Sequence, residues 1–251
     1  MKKLDFWLLS FTIGVVTFTT ACEEPTLEEM NSGVSSDTTS VGEEERVVND
    51  SVSTKTGLLA YYPFNGNTND ESGNNHHATA TGGEFATDRS GNTNKAFRLT
   101  SKSDALDIDD IANEQLSVSM WYYYEGTESF WNTLLYGNNS RHHLLVSHSD
   151  NHGSKGEIGT YAPGFQQSDY VLKEKQWYHI VLVKDGSQTK LYVDKTLVME
   201  TTDFSNADHP LTVIGNFDAG NGTQGALGKL DEIRIYGKVL TSNEVEYLFS
   251  K

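Results

Sequence analysis

Short runs of β-branched and aromatic residues, separated by Gly, Asn and Asp clusters, recur through the chain after residue 57. Each run has the length and composition of a β-strand, and the clearest are 116–124, 177–183, 189–193, 211–215 and 232–236. The segment 184–188 contains a glycine that can take a positive φ angle, so it predicts a hairpin between two of these strands. Helix patterns are nearly absent. The pattern therefore predicts an all-β fold, a two-sheet antiparallel β-sandwich of jelly-roll type.

One helix is predicted at the end of the chain, in the segment "LTSNEVEYLF". Thr241 followed by Glu244 three residues later has the spacing of a capping box, and Leu240 with Val245 has the spacing of the flanking hydrophobic staple. We expect a short C-terminal helix that packs Val245, Leu248 and Phe249 against the sandwich.

The start of the chain has the layout of a secretory signal peptide. Lys2 and Lys3 precede an apolar stretch, 6–18, that ends in small residues before Cys22, the only cysteine. The stretch is short and interrupted by polar residues, so cleavage is favoured over a permanent anchor helix. "TTAC" resembles a bacterial lipobox, which implies that Cys22 is lipidated after residues 1–21 are removed. Thr19 departs from the aliphatic residue usual at that position.

Residues 22–56 are rich in Glu, Ser, Thr and Val, with nine acidic residues against Arg46 and Lys55. They lack apolar periodicity, so they predict a disordered acidic tether. "CEEP" resembles the acidic export signal of some Gram-negative lipoproteins, which implies a lipid anchor in the outer membrane, facing either the cell surface or the periplasm. The formal net charge of −16 argues against nucleic acid as a partner, because phosphate binding needs clustered Lys and Arg.

Residues 57–251 have ordinary globular composition and the length of one domain. Four segments in order, "GLLAYYPFNGNTNDESGNNHHAT", "LSVSMWYYYEG", "KQWYHIVLVKDGSQTKLYVDKTLV" and "GALGKLDEIRIYGKVLTSNEVEYLF", resemble the laminin G-like domain of the concanavalin A-like lectin/glucanase group, as found in bacterial surface proteins. "VDKT" departs from the Asn-Gly turn that the family usually carries. The resemblance implies the same jelly-roll β-sandwich.

The resemblance also implies a structural calcium ion, shared by the polar stretch after the first strand and the Asp of the last long strand. The matching positions are Asp70 and Asp231, with Asn75 as a further oxygen ligand. Alternation in "LDEIRIY" would place Asp231 on the core face with Ile233 and Ile235, where a carboxylate needs a partner or a metal. The alternative is that Asp70 caps a turn and Asp231 accepts bonds from backbone amides.

Aromatic residues outside the regular strand pattern are candidates for stacking on a sugar ring. Trp131, Tyr161 and Phe165 are expected in or beside loops, where they either contact a glycan or cover a sheet edge. Trp121 and Trp177 lie in predicted strands and are expected in the core. The His-rich segment 140–152 matches no zinc motif, so it is interpreted as a solvated strand.

Enzymatic motifs are missing from the sequence. The glucanases of this fold typically present Glu-x-Asp-x-x-Glu on a strand, whereas Asp107 and Asp109 share a face without a third acid at that spacing. No Gly-x-Ser-x-Gly motif is present. The sequence therefore predicts a non-catalytic module, not an enzyme, that binds carbohydrate. The alternatives are a structural or adhesion subunit that binds an envelope protein and, third, a glycoside hydrolase or polysaccharide lyase.

Overall fold

A computed structural model describes residues 53–126, 131–138, 141–147, 154–161, 164–217 and 224–251. These residues contain fifteen strands and one helix: β1 Leu58–Tyr62, β2 Thr79–Thr81, β3 Glu84–Ala86, β4 Ala96–Leu99, β5 Ala105–Ile111, β6 Gln115–Tyr124, β7 Trp131–Gly137, β8 Arg141–Ser147, β9 Glu157–Tyr161, β10 Phe165–Val171, β11 Gln176–Asp185, β12 Gln188–Val193, β13 Thr196–Thr202, β14 Leu211–Ile214, β15 Gly228–Tyr236 and α1 Ser242–Phe249.

The strands form two antiparallel sheets. The eight-stranded sheet runs β13-β12-β11-β6-β15-β4-β3, and β1 adds to it by pairing with β15. The seven-stranded sheet runs β10-β9-β8-β7-β14-β5-β2. Strands adjacent in each sheet are often distant in the chain, as in the pair β15 and β6. The predicted two-sheet β-sandwich is confirmed.

Strict alternation along β6 separates the inner face of the eight-stranded sheet from its outer face. The inward side chains enter the core between the sheets, and they are Leu116, Val118, Met120, Tyr122 and Tyr124. The residues between them, Ser117 to Tyr123 at every second position, face outward. Because β6 pairs with both β11 and β15, this alternation also assigns the faces of its two neighbours.

The C-terminal helix covers part of that outer face. Thr241 is the N-cap, and its hydroxyl accepts from the Glu244 amide while the Glu244 carboxylate accepts from the Thr241 amide, which confirms the capping box. Val245 and Leu248 are buried with Leu240 against outward residues of the sheet. Phe249 stacks on Trp121 with ring centroids 5.6 Å apart. The predicted packing of the helix is therefore confirmed.

Two hairpins show how turn chemistry sets register. The predicted β11–β12 hairpin is confirmed, with Asp185 opposite Gln188 and Gly186 at a φ of 58°. The β12–β13 turn consists of Asp194 and Lys195, both with positive φ, of 47° and 64°. Positive φ at both positions is the requirement of a type I′ turn, which is met here without the usual Asn-Gly.

A β-bulge at Glu232 overturns the predicted orientation of Asp231. Asp231 pairs with Trp121 on the outer face, while the register shifts before Arg234 pairs with Ser119. Glu232, at a φ of 53°, supplies the extra residue. Ile233 and Ile235 lie in the core. The prediction that Asp231 shares their face is wrong, because the bulge reverses the alternation between them.

The two strand tryptophans also lie elsewhere than expected. Trp121 and Trp177 are half-buried on the outer face of the eight-stranded sheet. Trp121 lies beneath Phe249, and Trp177 packs against Tyr123 with ring centroids 5.4 Å apart. The expectation of a core position is wrong for both, since their strand positions alternate with the inward residues.

Candidate functional site

Three predicted aromatic residues meet on one face of the seven-stranded sheet. Trp131 begins β7, Tyr161 ends β9 and Phe165 begins β10, directly opposite Tyr161. The centroid of the Trp131 ring lies 5.6 Å from that of Tyr161 and 5.3 Å from that of Phe165. The three were expected in or beside loops, and each is the first or last residue of its strand. Strand pairing thus joins side chains that are up to 34 positions apart in the sequence.

The register shows that this is the outer face of the sheet. Asn132 pairs with Val146, which pairs with Ile158, and Val146 and Ile158 belong to the core. Trp131 and Tyr161 lie at odd offsets from these inward residues, so their side chains point away from the core. All three predicted aromatics are half-buried, which leaves part of each ring accessible.

Three further rings extend the group, and sequence reasoning missed them. The ring centroid of His142 lies 5.7 Å from that of Tyr136 and 5.7 Å from that of Tyr161. His142 also stacks on Phe217 at 5.2 Å, with an angle of 18° between the planes. We refer to the six rings together as the aromatic cluster: Trp131, Tyr136, His142, Tyr161, Phe165 and Phe217. His142 joins the group through strand register, because a shift between His142 and Leu145 breaks the simple alternation of β8 and turns His142 toward Tyr161.

His142 is a neutral member of the aromatic cluster. Its side chain is buried, and burial lowers its pKa to about 4. Its Nδ1 atom lies 2.9 Å from the hydroxyl oxygen of Thr133, which is also buried. The expectation that this His-rich segment forms a solvated strand is wrong, because His142 and His143 are both buried. His148 lies outside the described residues.

Gly159 makes room for one edge of the aromatic cluster. A Cβ atom built at Gly159 would lie 2.8 Å from Cε2 of Phe165 and would also collide with the carbonyl oxygen of Gln166. Any side chain at this position would push the Phe165 ring away and separate β9 from β10. The glycine therefore allows the ring to lie close against the sheet.

Asp70, a predicted calcium ligand, is held by hydrogen bonds from β1 and from its own loop. Its carboxylate accepts from the amides of Tyr61, Ser72 and His76 and from the Ser72 hydroxyl, at 2.7–3.0 Å. Burial acts to raise the pKa of Asp70, but these hydrogen bonds outweigh it and the pKa lies below its ordinary value. The bonds fasten the polar loop to β1. Asn75 is exposed in this loop with a φ of 64°.

Asp231 has a different partner. Its carboxylate lies 2.5 Å from Nη1 of Arg89, and its side chain is only 3% exposed. The Arg89 guanidinium lies over the Trp121 ring, 4.7 Å from its centroid, and donates to the backbone carbonyl of Lys251. Burial raises the pKa of Asp231 to about 6 although Arg89 opposes it. Arg89 therefore ties the end of the chain to the sheet.

Asp70 and Asp231 have different partners in the structure. Asp231 pairs with Arg89, whereas Asp70 accepts from backbone amides of β1 and of its own loop. Amide donors converge on Asp70, whereas calcium needs converging oxygens. In the part of the chain that the structure describes, no three His, Cys, Asp or Glu side chains are grouped to hold a metal ion. Calcium stays a prediction.

The lipidation site and the N-terminal segments lie outside the described residues. These are Cys22, the predicted signal peptide 1–21 and all but the last residues of the predicted tether 22–56. The domain boundaries stay predictions. In the described ranges, no helix is long and apolar enough to cross a membrane.

Comparison with known proteins gives a family match. The profile described as the concanavalin A-like lectin/glucanases superfamily matches residues 91–246. This is well over half of the chain, and it includes most strands of both sheets. No curated protein matches the sequence significantly.

Similar solved structures have low sequence identity. Domain 4 of AbnA, a GH43 extracellular arabinanase from Geobacillus stearothermophilus solved with arabinotriose, is 22% identical, with a TM-score of 0.61 over 76% of this chain and 97% of that domain. Trypanosoma rangeli sialidase in complex with sialic acid is 16% identical, with a TM-score of 0.61 over 77% of this chain and 33% of the sialidase. The binding domain of Paraclostridial Mosquitocidal Protein 1 is 16% identical, with a TM-score of 0.58, over 78% of this chain and 52% of that chain.

At these identities the likeness shows the fold alone. The chain matches nearly the whole arabinanase domain but spans only about a third of the sialidase and about half of the mosquitocidal binding domain. The prediction that the chain is not an enzyme is wrong, because structures with this fold include the sialidase and a domain of an arabinanase. Missing motifs do not remove glycoside hydrolysis from the functions open to the chain.

We expect Arg89→Met to lower the free energy of unfolding by about 2 kcal/mol or more at pH 8, because it leaves the buried Asp231 carboxylate without its cation. Burial raises the pKa of Asp231 to about 6, above its ordinary value. The folded state therefore takes up a proton as the pH falls through about 6, and the cost of the buried charge fades. In urea unfolding, the free energy of unfolding of Arg89→Met should thus fall below that of the wild type by less at pH 5 than at pH 8.

Arg98→Met is the matched control, since Arg98 lies on the same sheet and pairs with the accessible carboxylates of Glu84 and Glu125. Surface pairs contribute about 1 kcal/mol or less, so this variant should lose little. An Arg89→Met deficit that is no larger than the control's, or that is equal at both pH values, would contradict the proposed role of Arg89.

The calcium prediction is tested by melting curves in millimolar calcium and in chelator. Calcium bound at Asp231 would have to displace Arg89, so Arg89→Met should enlarge any calcium-dependent rise in melting temperature, and Asp231→Asn should remove it. If the wild type and both variants each melted at the same temperature in calcium as in chelator, calcium would not bind at Asp231. Arg89 would then be the cation that neutralises Asp231.

Proposed function

The chain belongs to the concanavalin A-like lectin/glucanase superfamily, and from this premise we propose that it is a carbohydrate-binding module whose binding surface is the aromatic cluster. The observation that carries the proposal is the meeting of Trp131, Tyr161 and Phe165 on one outer face, from three different strands. The core of a β-sandwich lies between its sheets, so its stability does not require a group of aromatic rings on an outer face.

Half-buried rings suit sugar binding for a physical reason. The C–H face of a sugar ring packs against an aromatic face and excludes water, and aromatic side chains bury large areas. Trp131 contacts Tyr161 edge-on and contacts Phe165 in a tilted arrangement, so its orientation is fixed before a ligand arrives. A fixed ring loses little entropy on binding, which favours affinity.

An exposed polar side chain beside the rings can orient a sugar through its hydroxyl groups. Gln167 follows Phe165 by two positions on the same face and is exposed. Aromatic surface with a few polar groups at its margin is the usual composition of a ligand site.

We also propose that the module is displayed on the bacterial cell envelope. Cys22 would carry the lipid, the acidic segment 22–56 would act as a flexible tether, and the domain 57–251 would face glycans outside the outer membrane or within the periplasm. The support is the sequence layout, in which an apolar stretch ends at the only cysteine.

A glycoside hydrolase is the second candidate, and it is supported by the sialidase and arabinanase structures with this fold. A glycan array followed by incubation with each bound glycan separates the two. Retention of the intact glycan would support the binding module, and release of reducing ends would establish the hydrolase. Capture of an envelope protein in the absence of any glycan binding would favour the structural or adhesion subunit.

We expect Trp131→Ala and Phe165→Ala each to weaken glycan binding by about 1 kcal/mol or more, which is a factor of five or more in the dissociation constant. Tyr161→Ala should have the same direction, because it removes a ring that holds Trp131 in place. Isothermal titration with a glycan identified on the array gives the affinities, and melting curves give the stability of each variant.

Trp177→Ala is the matched control. Trp177 is likewise half-buried and packs against one neighbouring ring, Tyr123, but it lies on the other sheet. It should cost comparable stability and leave glycan binding unchanged. If Trp177→Ala reduced binding while the three cluster variants did not, the binding surface would lie on the eight-stranded sheet.

We expect Cys22→Ser to move the protein from the membrane fraction to the soluble fraction, because the variant lacks the thiol that would carry the lipid. Detergent partitioning and mass spectrometry of the mature N-terminus measure the change. Unchanged partitioning, or an N-terminus that does not begin at residue 22, would contradict the lipid anchor.

A further inference from the structure

Four rings of the aromatic cluster lie in a row that crosses the strands of the seven-stranded sheet. Phe165 on β10 pairs directly with Tyr161 on β9. His142 on β8 pairs with Tyr161 on one side and with Tyr136 on β7 on the other. Resting on the proposed function, we infer that the aromatic cluster binds several consecutive units of a linear glycan that lies across the strands, and not a single terminal sugar.

Phe217 keeps the accessible aromatic surface continuous along this row. His142 is buried, so its own ring offers little surface to a ligand. Phe217 stacks on the His142 ring at 5.2 Å, and its centroid lies 5.0 Å from that of Tyr136. Both Phe217 and Tyr136 are half-buried. Accessible aromatic surface therefore extends from Phe165, on the edge strand β10, to Tyr136, three strands away.

The next row of outward positions gives the direction of the surface. Thr133 pairs with Leu145, and Leu145 pairs with Gly159. These residues alternate with the inward Val146 and Ile158, so they belong to the outer face. All three are buried and offer almost no surface to a ligand. A ligand that follows the accessible rings therefore runs across the strands.

The length of the row corresponds to several sugar units. One unit of an extended glycan is about 5 Å long, which is close to the spacing of neighbouring strands, so the width from β10 to β7 accommodates about three units. The loss of translational and rotational freedom on binding occurs once for the whole glycan. Each further unit that contacts a ring therefore adds to the affinity without repeating that cost.

Isothermal titration of the purified protein with linear arabino-, xylo- and cello-oligosaccharides of one to six units tests the inference. In a series that binds, affinity should rise by about tenfold or more between one unit and three units, and should rise little beyond four units, where the row ends. Equal affinity for one unit and for longer chains, or binding of branched terminal sugars alone on the array, would overturn the inference and leave the proposed function intact. Absence of binding to every glycan would instead contradict the proposed function, and the inference with it.

Phe217→Ala tests whether the far end of the row takes part. Phe217 lies after β14 and outside the strands, so the variant removes accessible ring surface without changing strand register. The ratio of the affinity for four units to that for two units should fall at least about threefold. Trp177→Ala, which removes a half-buried ring from the other sheet, is the control and should keep the wild-type ratio.

Tyr136→Leu is the second variant, because it keeps a large apolar side chain on β7 and removes only the ring. It should lower the same ratio, and melting curves report the stability of each variant. If the variants melted near the wild-type temperature and both kept the wild-type ratio, the glycan would not extend to this end of the row, and the inference would fail.

Discussion

The β-bulge at Glu232 determines which side chains of β15 face the core, and the eight-stranded sheet depends on β15. β15 pairs along one edge with β6 and along the other with β4 and then β1. Leu230, before the bulge, and Ile233, after it, both point into the core, although three positions separate them. Without the extra residue, one half of β15 would turn its apolar side chains outward. The bulge is stabilised by the Glu232 carboxylate, which accepts from the Tyr61 hydroxyl and pairs with Arg234.

The bulge also determines what the outer face of the eight-stranded sheet contributes, which differs from the contribution of the outer face of the seven-stranded sheet. By turning Asp231 outward, it places a carboxylate beside Trp121, where Arg89 bridges the sheet to the end of the chain. The C-terminal helix then buries its apolar side over the neighbouring outward residues. The outer face of the eight-stranded sheet is thus used in part for stability. The outer face of the seven-stranded sheet carries the aromatic cluster, which contributes nothing to the core between the sheets.

Sequence reasoning succeeded where the signal is local. The capping box of the last helix and the hairpin at Gly186 depend on residues only a few positions apart, and both were predicted. The bulge was not, because a single non-glycine residue at positive φ leaves no mark in "LDEIRIY". Trp131, Tyr161 and Phe165 were found by their residue type, but their contacts depend on the register of β7, β8, β9 and β10. His142 was missed because only that register shows that it faces Tyr161.

Composition could not decide how the polar loops hold their carboxylates, because Asn, Asp, Ser and Gly offer both donors and acceptors. What decides is the direction of the peptide groups, and here the donors point inward. Asp70 accepts three backbone amides, Asp104 accepts those of Thr100 and Ser101, and Asp88 accepts those of Ser90 and Asn92. A carboxylate bonded in this way is stabilised in its charged form. An acidic domain can therefore bury carboxylates such as those of Asp70 and Asp104 and keep its net negative charge.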